Sequence, residues 1–135
     1  VLALDLGRKR IGLAISDELG LTAQGLPTLQ RTRIRDDLAQ LARLASERGV
    51  QRFLIGYPLH MSGREGRGAA FARDFGQRLH AFTGLPVDYW DERLTTVEAQ
   101  RVLRESGVGL EKRMQAVDRL AAVLLLESYL DRAAP

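Results

Sequence analysis

The first sixteen residues, VLALDLGRKRIGLAIS, limit the fold more than any other stretch. Val1 to Gly7 is an apolar run interrupted only by Asp5, a pattern that suits a central strand buried on both faces. Arg8, Lys9 and Arg10 form a short polar turn, and Ile11, Leu13 and Ile15 then alternate with Gly12, Ala14 and Ser16. A second strand therefore returns as a hairpin. The consequence is an acid in the middle of a buried strand, where a solvated charge is not expected.

The rest of the chain continues this start. Leu21 to Gln30 supplies a third strand after the Asp17 to Gly20 turn, with Pro27 placing part of it near a sheet edge. Ile34, Leu38, Leu41, Ala42 and Ala45 fall at helical spacing over Ile34 to Arg48, and Gly49 supplies the stop. Gln51 to Gly56 reads as a short buried strand, Arg64 to Phe82 as helix, and Val87 to Trp90 as another short strand after Gly84 and Pro86. Thr95-Thr96-Val97-Glu98 has the spacing of a capping box, which predicts a helix to about Ser106, where Gly107 and Gly109 end it. A last helix is expected from Glu111 to about Arg132. Three strands, then helix, strand, helix, strand and two helices make an α/β mixed sheet flanked by helices. At 135 residues, one domain over 1–135 is expected.

Composition excludes several functions. The chain has no cysteine, so disulfides, thiolate metal sites and cysteine nucleophiles are ruled out. No apolar run is long enough to span a bilayer and no signal peptide precedes the first strand, so a cytoplasmic protein with no membrane partner is expected. The 20 basic residues outnumber the 17 acidic ones, and all but Lys9 and Lys112 are arginine. A polyanionic partner fits this balance, as does an arginine-rich genome.

Four acids stand out. Asp5 lies in the first strand, Asp91 and Glu92 end the strand VDYWDE, and Asp118 precedes Ala121, Ala122 and Leu125 at helical spacing. That spacing turns Asp118 toward the sheet, and the small alanines let the helix approach closely. Three of them have an ordinary alternative: Asp5 as a buried carboxyl bonded to nearby backbone, Asp91 as a partner of Arg93 or of the helix start, Asp118 as a surface or ion-paired helix residue. If they converge at one sheet edge, their repulsion calls for a divalent cation, and oxygen-only ligands select magnesium or manganese. Such a cluster is the usual basis of two-metal phosphoryl chemistry.

DLGRKRIGLAIS, IGYPLHMSGREG, DERLTTVEA and VDRLAAVLLLESYLD, in this order over nearly the whole chain, resemble the YqgF family, also called RuvX. Its fold is similar to ribonuclease H and to the Holliday-junction resolvase RuvC. The resemblance implies a three-layer ribonuclease H-like fold, a five-stranded mixed sheet with three antiparallel strands first, and a metal-dependent nuclease site. Carried over by position, the family's acids fall on Asp5, Glu92 and Asp118, with Asp91 as a further metal ligand. The implied function is trimming of the 5′ end of precursor 16S ribosomal RNA, with junction resolution as the alternative. One departure is His60, where the family commonly has Asn. Arg8, Lys9 and Arg10 beside Asp5, with His60, Arg64 and Arg93 in other loops, are the candidates for contact with structured RNA or branched DNA.

Two rivals remain open at this stage. Actin-like and sugar-kinase ATPases share the ribonuclease H core but resemble two such cores around a cleft, and this chain supplies one. A nucleic-acid-binding module without cleavage is the other. A resolvase, which cuts two strands symmetrically, is expected to be a homodimer, whereas RNA trimming needs one site.

Overall fold

The computed structural model describes the backbone of residues 1–57, 67–91 and 110–133, and the side chains of these except 67, 110–118 and 132–133. Strand β1 (Leu2–Leu6) forms the hairpin with β2 (Arg10–Ser16), and β3 (Ala23–Gln30) follows. Helix α1 (Ile34–Arg48), strand β4 (Phe53–Tyr57), helix α2 (Arg67–Thr83), strand β5 (Val87–Asp91) and helix α3 (Leu110–Ala133) complete the order. The strands form one sheet in the order β3-β2-β1-β4-β5. The first three are antiparallel, and β4 and β5 add in parallel to β1. The helix expected over Thr95 to Ser106 lies outside the described residues.

Alternation along the strands divides the molecule into three layers. Leu2, Leu4, Ile11, Leu13, Phe53 and Ile55 face α1 and α2, where they pack with Leu38, Leu41, Phe75 and Leu79. Ala3, Ala14 and Leu54 face the other way and pack with Ala122, Leu125 and Leu126 of α3. Ala3, Ala14 and Gly25 carry little or no side chain, so α3 lies close to that part of the sheet. At Gly25 of β3 the approach is closest, because a Cβ there would stand 2.7 Å from Arg119 Cγ.

Local chemistry explains where the observed boundaries differ from the expected ones. Leu21 and Thr22 stay out of β3 because the Asp17 carboxylate accepts their backbone N–H groups, at 2.7 and 3.2 Å. Those same bonds hold the Asp17 carboxyl below its ordinary range. In β3 the pairing shifts between Ile11↔Leu29 and Leu13↔Leu26, so an extra residue is accommodated beside Pro27 on this outermost strand. Helix α1 ends as expected at Gly49, in the left-handed conformation at φ 66°.

Candidate active site

Strands β1, β4 and β5 run parallel, so their C-terminal ends share one edge of the sheet, the edge at which α/β folds present ligands. Asp5 is half-buried near that end of β1, the middle strand. It pairs with Gly12 of β2 on one side. On the other, the register that joins Leu4 to Ile55 brings Asp5 abreast of Gly56, and Gly56 pairs with Trp90. Asp5 shares the face of Ala3 and therefore lies on the α3 side. Its neighbours in the row on both sides are buried glycines, which add no side chain beside the carboxylate.

Helix α3 is oriented toward this end. Arg119 and Val123 stand over Gly25 in β3, whereas Leu130 lies beside Gly20 in the β2–β3 turn. The helix thus runs antiparallel to β1, with its N-terminal half on the Asp5 side. Residue 118 belongs to that half, one turn before Ala122; its side chain is outside the described residues. Asp91, the last residue of β5, is exposed and falls in the series of Val87 and Tyr89, which pack on the α1 and α2 face. Strand alternation sets it on the face opposite Asp5. Glu92, His60, Arg64 and Arg93 lie outside the described residues. Among the described residues, no group of three His, Cys, Asp or Glu is placed to hold a metal ion.

The basic turn beside Asp5 is tight. Gly7 donates its N–H to Arg10 O at 2.9 Å, and a Cβ on Gly7 would come within 2.7 Å of that oxygen. Arg8 and Lys9 are exposed at the tip and Arg10 is half-buried. Arg31, just beyond β3, holds the turn from beneath. Its Nη1 donates to Gly7 O at 2.8 Å, its backbone N–H donates to Lys9 O at 2.8 Å, and its guanidinium lies 4.8 Å from the centre of the Phe71 ring. Nothing in the local sequence marks Arg31 for this role, because its partners lie 24 and 40 residues away.

A second group absent from the sequence reading surrounds the end of β5. Trp90 Nε1 donates to Ser128 Oγ at 3.0 Å, and its ring meets Tyr129 edge to face at 5.7 Å. Tyr129 in turn donates its hydroxyl to Asp88 at 2.6 Å, and Asp88 also accepts from Arg52 at 2.9 Å. Burial first, and then the bond to Asp88, push the Tyr129 hydroxyl above the ordinary tyrosine range.

Chemically, the donor set is oxygen only. Asp5 sits on the middle strand of the sheet, and carboxylate donors of this kind fit a hard divalent cation better than zinc.

The chain is similar to known proteins over nearly its full length. A family model described as "RuvX: Holliday junction resolvase" matches residues 1–132. A Koribacter versatilis protein named "Putative pre-16S rRNA nuclease" is 50% identical over 132 residues, 98% of this chain and 86% of that protein. A Symbiobacterium thermophilum protein of the same name is 47% identical over 131 residues, 97% of this chain and 91% of its own. Among solved structures, Thermus thermophilus RuvC in complex with a Holliday junction substrate superposes with a TM-score of 0.59 at 15% identity, covering 98% of this chain and 94% of that one. The five-stranded mixed sheet with helices on both faces is therefore a RuvC-type, ribonuclease H-like fold. With the family model spanning 1–132 and relatives half identical along almost all of its length, the chain belongs to the RuvX family.

Proposed function

We propose that this protein is a divalent-metal-dependent nuclease that hydrolyses phosphodiester bonds in the 5′ leader of precursor 16S ribosomal RNA. The observation that carries this reading is Asp5: a half-buried carboxylate on the middle strand, between two glycines, beside a basic turn. The names of the relatives at about half identity support the RNA substrate.

In this proposal Asp5, Glu92 and Asp118 hold magnesium or manganese. Asp91 is the weaker candidate, since its strand series faces the other way. When bound, the cation neutralises the acids, activates water and steadies the leaving oxygen. The chain's own part is placement. The central strand keeps the Asp5 carboxylate fixed, which metal chemistry requires because ligands that drift lose function. Arg8, Lys9 and Arg10 contact phosphates next to the scissile one, and His60, Arg64 and Arg93 extend that contact along the backbone of the substrate.

The Asp5→Asn variant should lose metal-dependent cleavage of a precursor 16S RNA 5′ fragment by more than the ~10–100-fold typical of an outer partner of a metal ligand. Its thermal midpoint should stay level or rise, since one of several mutually repelling acids is gone. Cleavage rate and unfolding, measured side by side in magnesium and in manganese, check both. Unchanged cleavage in the variant removes the mechanism.

A second reading is resolution of four-way DNA junctions, favoured by the description of the family and by the junction bound to the RuvC neighbour. It requires a homodimer and gives paired symmetric nicks. A four-way junction incubated beside the RNA fragment separates the two: RNA cut alone supports maturation, and paired nicks support resolution. Binding of both without cleavage would leave a non-catalytic module.

A further inference from the structure

Four residues stand abreast across the sheet on the α3 side: Gly12 of β2, Asp5 of β1, Gly56 of β4 and Trp90 of β5. The two glycines contribute no side chain to this row. Asp5 and Trp90 are thus the two side chains that β2, β1, β4 and β5 add to this row, their backbones two strand spacings or about 10 Å apart. Trp90 occupies the outermost strand and is half-buried.

The indole is braced. Its Nε1 donates to Ser128 Oγ at 3.0 Å, and Tyr129 meets it edge-on at an interplanar angle of 89°. Tyr129 is anchored by Asp88, and Asp88 by Arg52. This chain of contacts fixes the plane of a large aromatic ring that the core does not fully enclose. Full burial of such a ring is a strong stabilising term, so a braced ring left part-open forgoes some of it. A fixed, part-open indole on the strand next but one to that of Asp5 has the chemistry to take a flat, unpaired base, and stacking of this kind tolerates any sequence.

Resting on the nuclease reading above, we propose that Trp90 is the stacking platform for an unpaired nucleobase in the strand whose phosphate reaches Asp5. The substrate class at this site is therefore single-stranded or frayed nucleic acid. A fully paired helix keeps its bases stacked on one another and offers none to the indole.

Trp90 is the sole tryptophan of the chain, so its fluorescence reports on this position alone. The Asp5→Asn protein, in magnesium, is titrated with a 5′-labelled single-stranded RNA of ~10 nucleotides, a length within the usual span of a single-strand groove. Label anisotropy reads binding while indole emission reads stacking. Quenching should follow the anisotropy curve. Inorganic polyphosphate, a polyanion without bases, should compete for the RNA yet leave the emission unchanged. Trp90→Ala should weaken RNA binding roughly tenfold, the scale of one base–aromatic stack, and Trp90→Phe should stay within a few-fold of the parent.

Binding by anisotropy with no change in emission overturns the proposal, as does equal quenching by polyphosphate. Both leave the nuclease reading in place. No binding of RNA at all overturns the two together. Should Trp90→Ala fail to fold, the emission of the parent protein alone decides.

Discussion

Arg31 joins three elements through one residue: the β1–β2 turn by its hydrogen bond to Gly7 O, the end of β3 by its own backbone, and α2 by its contact with Phe71. Arg31→Ala should cost about 1–2 kcal/mol, the range of a hydrogen bond from a charged donor plus a partly exposed cation–π contact. Hydrogen exchange at the Gly7 amide, which donates to Arg10 O across the turn, should speed up more than exchange in α1, which checks that the loss is at the turn. Asp37 plays a similar local part at the start of α1. It is fully buried, and its Oδ1 accepts both the N–H and the hydroxyl of Thr32, which ties the chain entering α1 back to the first turn of the helix. At this scale the sequence was only partly readable. Asp5 was visible because an acid interrupts an apolar run. Arg31, Asp37 and Trp90 were not, since a charge at a strand end, an acid in a first helical turn and an aromatic in a strand are all ordinary until their partners are known.

Gly76 in the middle of α2 illustrates why element boundaries were easier to read than element contacts. Periodicity located the helix, and a glycine there reads as a weak point, about 0.5–1 kcal/mol less stable than alanine. In the structure, packing outweighs that propensity. A Cβ at position 76 would collide with the Tyr89 hydroxyl and stand 2.9 Å from its ring carbon Cζ. Overpacking of this kind costs about 1–3 kcal/mol, so Gly76→Ala should destabilise despite its better propensity. Denaturant unfolding of Gly76→Ala, Tyr89→Phe and the double variant tests this, and the pair should couple by at least ~0.5 kcal/mol, because the second change removes the atom the first one strikes. Helix α1 was legible from end to end, since its apolar spacing and its closing glycine are both local. The start of β3 was displaced by two residues, because the Asp17 carboxylate claims Leu21 and Thr22. In α3, Ala121, Ala122 and Leu125 are buried as the helical spacing required.

Over the whole molecule, the strand order 3-2-1-4-5 turns a string of separate motifs into one edge. The hairpin and the alternating elements that follow it already implied a mixed sheet with helices on both faces, whereas the face on which each acid lies needed the register. That is why Asp5 and Asp91, both candidate metal ligands on paper, part company in three dimensions. If the basic turn serves as proposed, nucleic-acid binding falls with salt, and Lys9→Ala lowers the slope of log K against log salt by about 1 without disturbing the fold. Titrations at several ionic strengths check this, and an unaltered slope would take Lys9 out of the interface. The layering also bears on synthesis. Because α3 alone packs on Ala3, Ala14 and Leu54 among the described elements, that apolar face stays open on the ribosome until residues 110–133 have emerged. If α3 supplies a ligand to the nuclease centre as proposed, translation keeps that centre unassembled until this helix docks.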